Sequence, residues 1–152
     1  MKKSFSQLVI LLSTVFILMS INAFAKETDC GIVNVQVVFQ TQNDAELACE
    51  GIRRAMRFFA SYGYDDFRHV HVRVLDQVVW ESVNAYDGEK EKRVVYACYD
   101  NISGYSKITS WETDYVQQRE AFGTLPVTRE YHSSIVAHEV AHDLYHHVLE
   151  SM

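Results

Sequence analysis

Residues 30–63 read CGIVNVQVVFQTQNDAELACEGIRRAMRFFASYG, and within them the apolar spacing changes period. From Val33 the apolar residues alternate, with Val33, Val35, Val37 and Phe39 sharing one face, which predicts a strand. Beyond Asn43 the step lengthens to three and four. Ala45, Ala48, Cys49, Ile52, Met56 and Phe59 form a stripe one helix face wide. Asn43 is a suitable N-cap for a helix starting at Asp44, and Gly63 a natural stop. Cys49 lies on the core-facing stripe, so packing rather than reactivity is expected of it.

Working outward, FRHVHVRVL (residues 67–75) alternates again, with Val70, Val72 and Val74 on one face and His69, His71 and Arg73 on the other. VVWESV and RVVYACY read as further strands around a turn at Tyr86-Asp87-Gly88, and SKITSW as another candidate. Residues 112–130 lack periodicity and contain Gly123 and Pro126, so they read as loop. From about Tyr131 a helix is expected, capped by Ser133 or Ser134, with Ile135, Ala141, Leu144 and Val148 facing the core. A strand, a helix and then a strand imply a crossover connection. The fold class expected is α+β, a mixed β-sheet with an early backing helix and a C-terminal helix.

The first 25 residues stand apart. Lys2 and Lys3, an apolar run from Leu8 to Ile21, and Ala23-Phe24-Ala25 before Lys26 form the pattern of a cleaved signal peptide. The run is too short for a stable membrane anchor. Residues 26–152 then form a single domain, exported to a bacterial periplasm or medium. Removing Lys2 and Lys3 from the 14 basic residues leaves 12 against 20 acidic ones, a net charge of about −8 that argues against a nucleic-acid partner. Cys30, Cys49 and Cys98 permit one disulfide with one thiol over, and equally permit three small buried side chains. None forms a CxxC pair.

The candidate chemistry lies in SSIVAHEVAHDLYHHVLESM, residues 133–152. On a helix, His138 and His142 stand one turn apart and present two imidazoles to one point, as zinc requires of two of its ligands. Glu139 projects beside that point, where it can take a proton from water that the metal acidifies. Val140, Ala141 and the apolar Ile135-Val136-Ala137 favour this reading. Asp143 departs from the uncharged residue usual after the second histidine. A plainer alternative stays open: a solvated helix face that carries His and Glu by chance.

With that motif the chain resembles the N-terminal half of a zincin, the HExxH metallopeptidase superfamily. The resemblance implies that residues 44–62 are the backing helix and 131–149 the active-site helix. It further implies that His138 and His142 ligate zinc, that Glu139 is the general base, and that a peptide or protein is the substrate. The motif covers five residues; the match of element order covers most of residues 26–152. A metzincin would need glycine and histidine where Tyr145 and Val148 stand, so the likeness is to the gluzincin branch. That branch takes its third ligand from a later helix, and ten residues follow His142. The expectation is therefore a domain without the C-terminal subdomain that closes the site, truncated or inactive as a peptidase. His146 lies about two turns, roughly 12 Å, from His138, and His147 about 100° further round the helix. Both suit the negative end of a helix dipole better than a shared metal. His132, His69 and His71 are further candidate ligands, each more simply read as surface or hydrogen-bonded histidines. A non-catalytic exported binding or inhibitor module, or a periplasmic zinc-binding protein, is the competing reading.

Overall fold

A computed structural model describes residues 25–65, 67, 69–83, 88–113 and 128–150. The signal peptide expected at residues 1–25 therefore lies, up to residue 24, outside the described residues. So do residues 86 and 87 of the expected turn and 114–127 of the expected loop. The fold is α+β, as the pattern of elements predicts. In chain order it runs β1 (Lys26–Thr28), β2 (Val35–Phe39), α1 (Gln42–Ala60), β3 (Val70–Leu75), β4 (Val78–Val83), β5 (Lys90–Val95), β6 (Ala97–Asp100), β7 (Tyr105–Thr109) and α2 (Arg129–Glu150).

Five strands form a mixed sheet in the order β1-β2-β3-β7-β6, and β4 and β5 pair as a separate two-stranded sheet. β2, β3 and β7 are parallel, while β1 and β6 are antiparallel edges. Alternation explains the layering. Val37, Val72 and Ile108 are fully buried under both helices. His71 and Arg73 alternate with them and point to the opposite face. Among the described residues, no helix is long and apolar enough to cross a membrane.

Several local expectations are corrected. Val33 is 83% exposed rather than core-facing. The chain turns through left-handed Cys30 and Asn34, and the strand begins only at Val35. The cap of α1 is Thr41, not Asn43. Thr41 Oγ1 accepts from the Asp44 amide at 3.2 Å and donates to Asp44 Oδ2 at 2.6 Å. This reciprocal pair outcompetes Asn43 and leaves that residue in the first turn. Asp44 Oδ1 also accepts from the Trp111 amide at 2.8 Å, which satisfies a carboxylate that is 1% exposed. After α1, Gly63 adopts a φ of 87° and donates its amide to the Ala60 carbonyl, as a helix stop should.

RVVYACY is two strands, not one. Thr109 draws in the Tyr96 carbonyl through its amide at 2.8 Å and the Val95 carbonyl through its hydroxyl at 3.1 Å. The chain kinks there and passes from the hairpin to the main sheet. At α2 the cap is Thr128, whose hydroxyl accepts from the Tyr131 amide at 3.1 Å. Ser133 and Ser134 lie inside the helix, bonded to the Glu130 carbonyl. Its buried face is Ser133, Val136, Val140 and Leu144; Ala141 and Val148 flank it, and Ile135 turns away toward a surface cleft.

A disulfide joins Cys30 to Cys49 across 19 residues, with Cα atoms 5.4 Å apart. Cys49 is thus both packed and bonded, and Cys98 is the free thiol. Closing a loop of that size stabilises a fold by about 3 kcal/mol.

Candidate metal centre and its cleft

The site is built on α2. Val136, Val140 and Leu144 press one face of this helix onto the sheet and α1, so residues two positions on from Val136 and from Val140 turn outward. His138 and His142 are both exposed, and their Nε2 atoms stand 3.2 Å apart. The rings are perpendicular, with centroids 4.7 Å apart. Glu139 is half-buried between them along the chain and borders two clefts. One, of about 680 Å³, is also lined by His142, Trp80 and Tyr99. The other, of about 530 Å³, is also lined by His138, Val94 and Tyr131. Glu139 therefore reaches the space on both sides of the histidine pair.

The remaining histidines make other contacts. His132 is 2% exposed and packs edge-on against Trp111, with centroids 5.6 Å apart. His69 and His71 occupy the helix-free face of the sheet. There His71 stacks on Tyr105 and burial, with His69 and Arg73 beside it, lowers its pKa below the usual 6.5. The Arg73 guanidinium covers the same Tyr105 ring at 3.8 Å. His147 Nε2 approaches Asp143 Oδ1 at 3.3 Å. His146 borders the larger cleft with His142. Among the described residues, no three His, Cys, Asp or Glu side chains come close enough together to hold a metal ion.

Two residues near the pair carry unusual environments. Asp143, next to His142, is 1% exposed. Burial pushes its carboxyl up, against the opposing pull of His147 and the Tyr99 hydroxyl. Its neighbour in the motif gave only a hint of this, since a charged residue beside an apolar helix face implies solvent unless the tertiary fold covers it. Cys98 borders the larger cleft, and burial pushes its thiol up, with Glu139 and Asp100 acting in the same direction against Lys107. The cleft wall itself, Trp80 and Tyr99 from two different strands, carries no sequence signal because its members meet only across the β5–β6 kink.

Chemically, the pair suits a divalent metal. Two nitrogens at 2.0–2.1 Å from a tetrahedral zinc are separated by about 3.3 Å, close to the spacing here. A hydrogen bond between two neutral imidazoles accounts for the same distance, so the spacing permits both arrangements.

Residues 35–152 match DUF6639, described as a family of unknown function, and the chain belongs to that family. No curated protein and no solved structure matches it.

Proposed function

We propose that this chain is an exported zinc-dependent metallopeptidase in which His138 and His142 hold the metal and Glu139 is the general base. The observation that carries the reading is the 3.2 Å separation of the two Nε2 atoms beside an acidic side chain that opens onto both adjoining clefts. Zinc at this point would supply Lewis acidity, polarising a peptide carbonyl and making water a better nucleophile. Glu139 accepts the proton of the attacking water and returns it to the departing amine, a role that needs a carboxylate within hydrogen-bond reach of both. The exposed position of the pair admits a peptide or a protein loop, and the acidic balance disfavours nucleic acid. Export is supported by the Cys30–Cys49 disulfide, a bond kept in oxidising compartments, together with the leader pattern of residues 1–25.

A catalytic zinc usually has three protein ligands, so the third is to be sought outside the described residues. That same lack favours one competing reading, a periplasmic zinc-binding protein that captures metal on two histidines without catalysis. Zinc analysis of dialysed protein, with a chelator-sensitive peptidase assay, tests both. One zinc per chain, lost in His138→Ala and in His142→Ala but kept in His71→Ala, is expected, and hydrolysis that a chelator stops selects the peptidase. Zinc without hydrolysis selects capture. Equal zinc in His138→Ala and the parent removes the pair from either role.

A further inference from the structure

Three large apolar side chains that water reaches converge on the larger cleft: Trp80 at 44% exposure, Tyr145 at 55% and Leu149 at 52%. They come from opposite walls. Trp80 lies on the hairpin face that also carries Val78 and Val95, since Val78 pairs with Val95 in the β4–β5 register and side chains alternate along a strand. Tyr145 and Leu149 are four residues apart and so share one face of α2, beyond His142. Val95 and Ala97, where the chain crosses from β5 to β6, also line the cleft. Glu139 and His142 line the same cleft, together with the polar side chains of Tyr99, Asn101 and His146. Scattered surface hydrophobics carry no meaning, but a contiguous set lining a concavity beside convergent polar groups is the pattern of a ligand site.

Resting on the peptidase reading above, we propose that this trough is the specificity pocket of the site. It takes a large apolar or aromatic side chain of the substrate, flanking the peptide bond that lies over His142 and Glu139. The chemistry selects that class. The open cleft is bordered by an indole, a phenol ring and an aliphatic chain, which reward removal of apolar area from water and offer stacking edges to an aromatic ring. A small side chain leaves the walls hydrated, and an acidic one meets the Glu139 carboxylate in the lining. The β4–β5 hairpin, which stands outside the main sheet, thereby has a function: it supplies the wall that β6 alone is too narrow to provide.

The test uses blocked pentapeptides with Phe, Ala or Asp at the central position and alanine elsewhere, on the full chain supplied with zinc. Binding to Glu139→Gln is measured by calorimetry and turnover by the parent from kcat/KM. The Phe peptide is expected to bind and react better than the Ala peptide by on the order of 10–100-fold, the effect of burying one such side chain. Trp80→Ala and, as a second variant on the helix wall, Leu149→Asp each remove most of that preference, read as the ratio of Phe to Ala peptide within each variant. Phe-selective binding with no turnover of any peptide keeps the pocket and overturns the hydrolytic reading. Turnover with equal kcat/KM for Phe and Ala peptides overturns the pocket and leaves the peptidase. A Phe preference unmoved in both variants also overturns it, because the side chain then binds elsewhere.

Discussion

A Cβ added to Gly51 would lie 2.5 Å from the Val136 Cβ and 2.6 Å from the Ser133 carbonyl oxygen. Helices α1 and α2 thus meet backbone to side chain, closer than any residue but glycine allows. A glycine inside a helix costs about 1 kcal/mol relative to alanine, and here that cost is offset by the close approach it permits. The contact also sets the rotation of α2 about its axis. With Val136 against α1, His138 and His142 are carried to the outer side.

Gly51→Ala is therefore expected to destabilise the fold by about 1–3 kcal/mol despite its better helix propensity, because the new methyl must displace α2. Urea denaturation measures it. A variant as stable as the parent, or more so, would show that the helices separate freely.

Glu139→Gln keeps the shape of the side chain and removes its ability to accept a proton at neutral pH. Zinc content should be unchanged while peptide hydrolysis falls by on the order of 10²–10⁴-fold. Matching rates for variant and parent, at equal metal loading, would assign the base to another group.

Reducing the Cys30–Cys49 bond, or replacing both cysteines by serine, should cost about 3 kcal/mol of stability by restoring freedom to the unfolded chain. Cys98 gives an internal comparison. Cys98→Ser leaves the disulfide intact and should show no sensitivity of its stability to oxidation state beyond that of the parent. Identical denaturation midpoints with and without reductant would mean that the bond contributes nothing.

Stability should also decline on mild acidification through His71. Its folded-state pKa lies below 6.5 because burial, His69 and Arg73 all disfavour the imidazolium. Below 6.5 the unfolded chain therefore binds a proton more readily than the fold does. Stability is full above 6.5 and is lost as pH falls from there through the folded value. His71→Gln should flatten that part of the profile. A parent whose denaturation midpoint is level between pH 7 and pH 5 would contradict the burial of this imidazole.

Whatever depends on near neighbours along the chain was legible in the order of amino acids. The alternating valines of β2 and β3, the three-and-four spacing of α1 and the four-residue interval between His138 and His142 each follow from one element's own period. That interval brings two Nε2 atoms to 3.2 Å without help from the rest of the fold. Tertiary structure decided everything that joins distant residues. Thr41 caps α1, with the Asp44 it pairs with held by an amide 67 positions away. Cys49 meets Cys30 rather than Cys98 because β2 and α1 pack back to back. β7 enters between β3 and β6, and Thr109 then breaks RVVYACY at Tyr96 by taking two of its carbonyls. The cleft wall that sets Trp80 opposite Tyr145 exists only because of that break. Local periodicity acts through backbone geometry and is written in a few residues; pairing, burial and pocket shape depend on which surfaces exclude water together, and that is settled only when the whole chain packs.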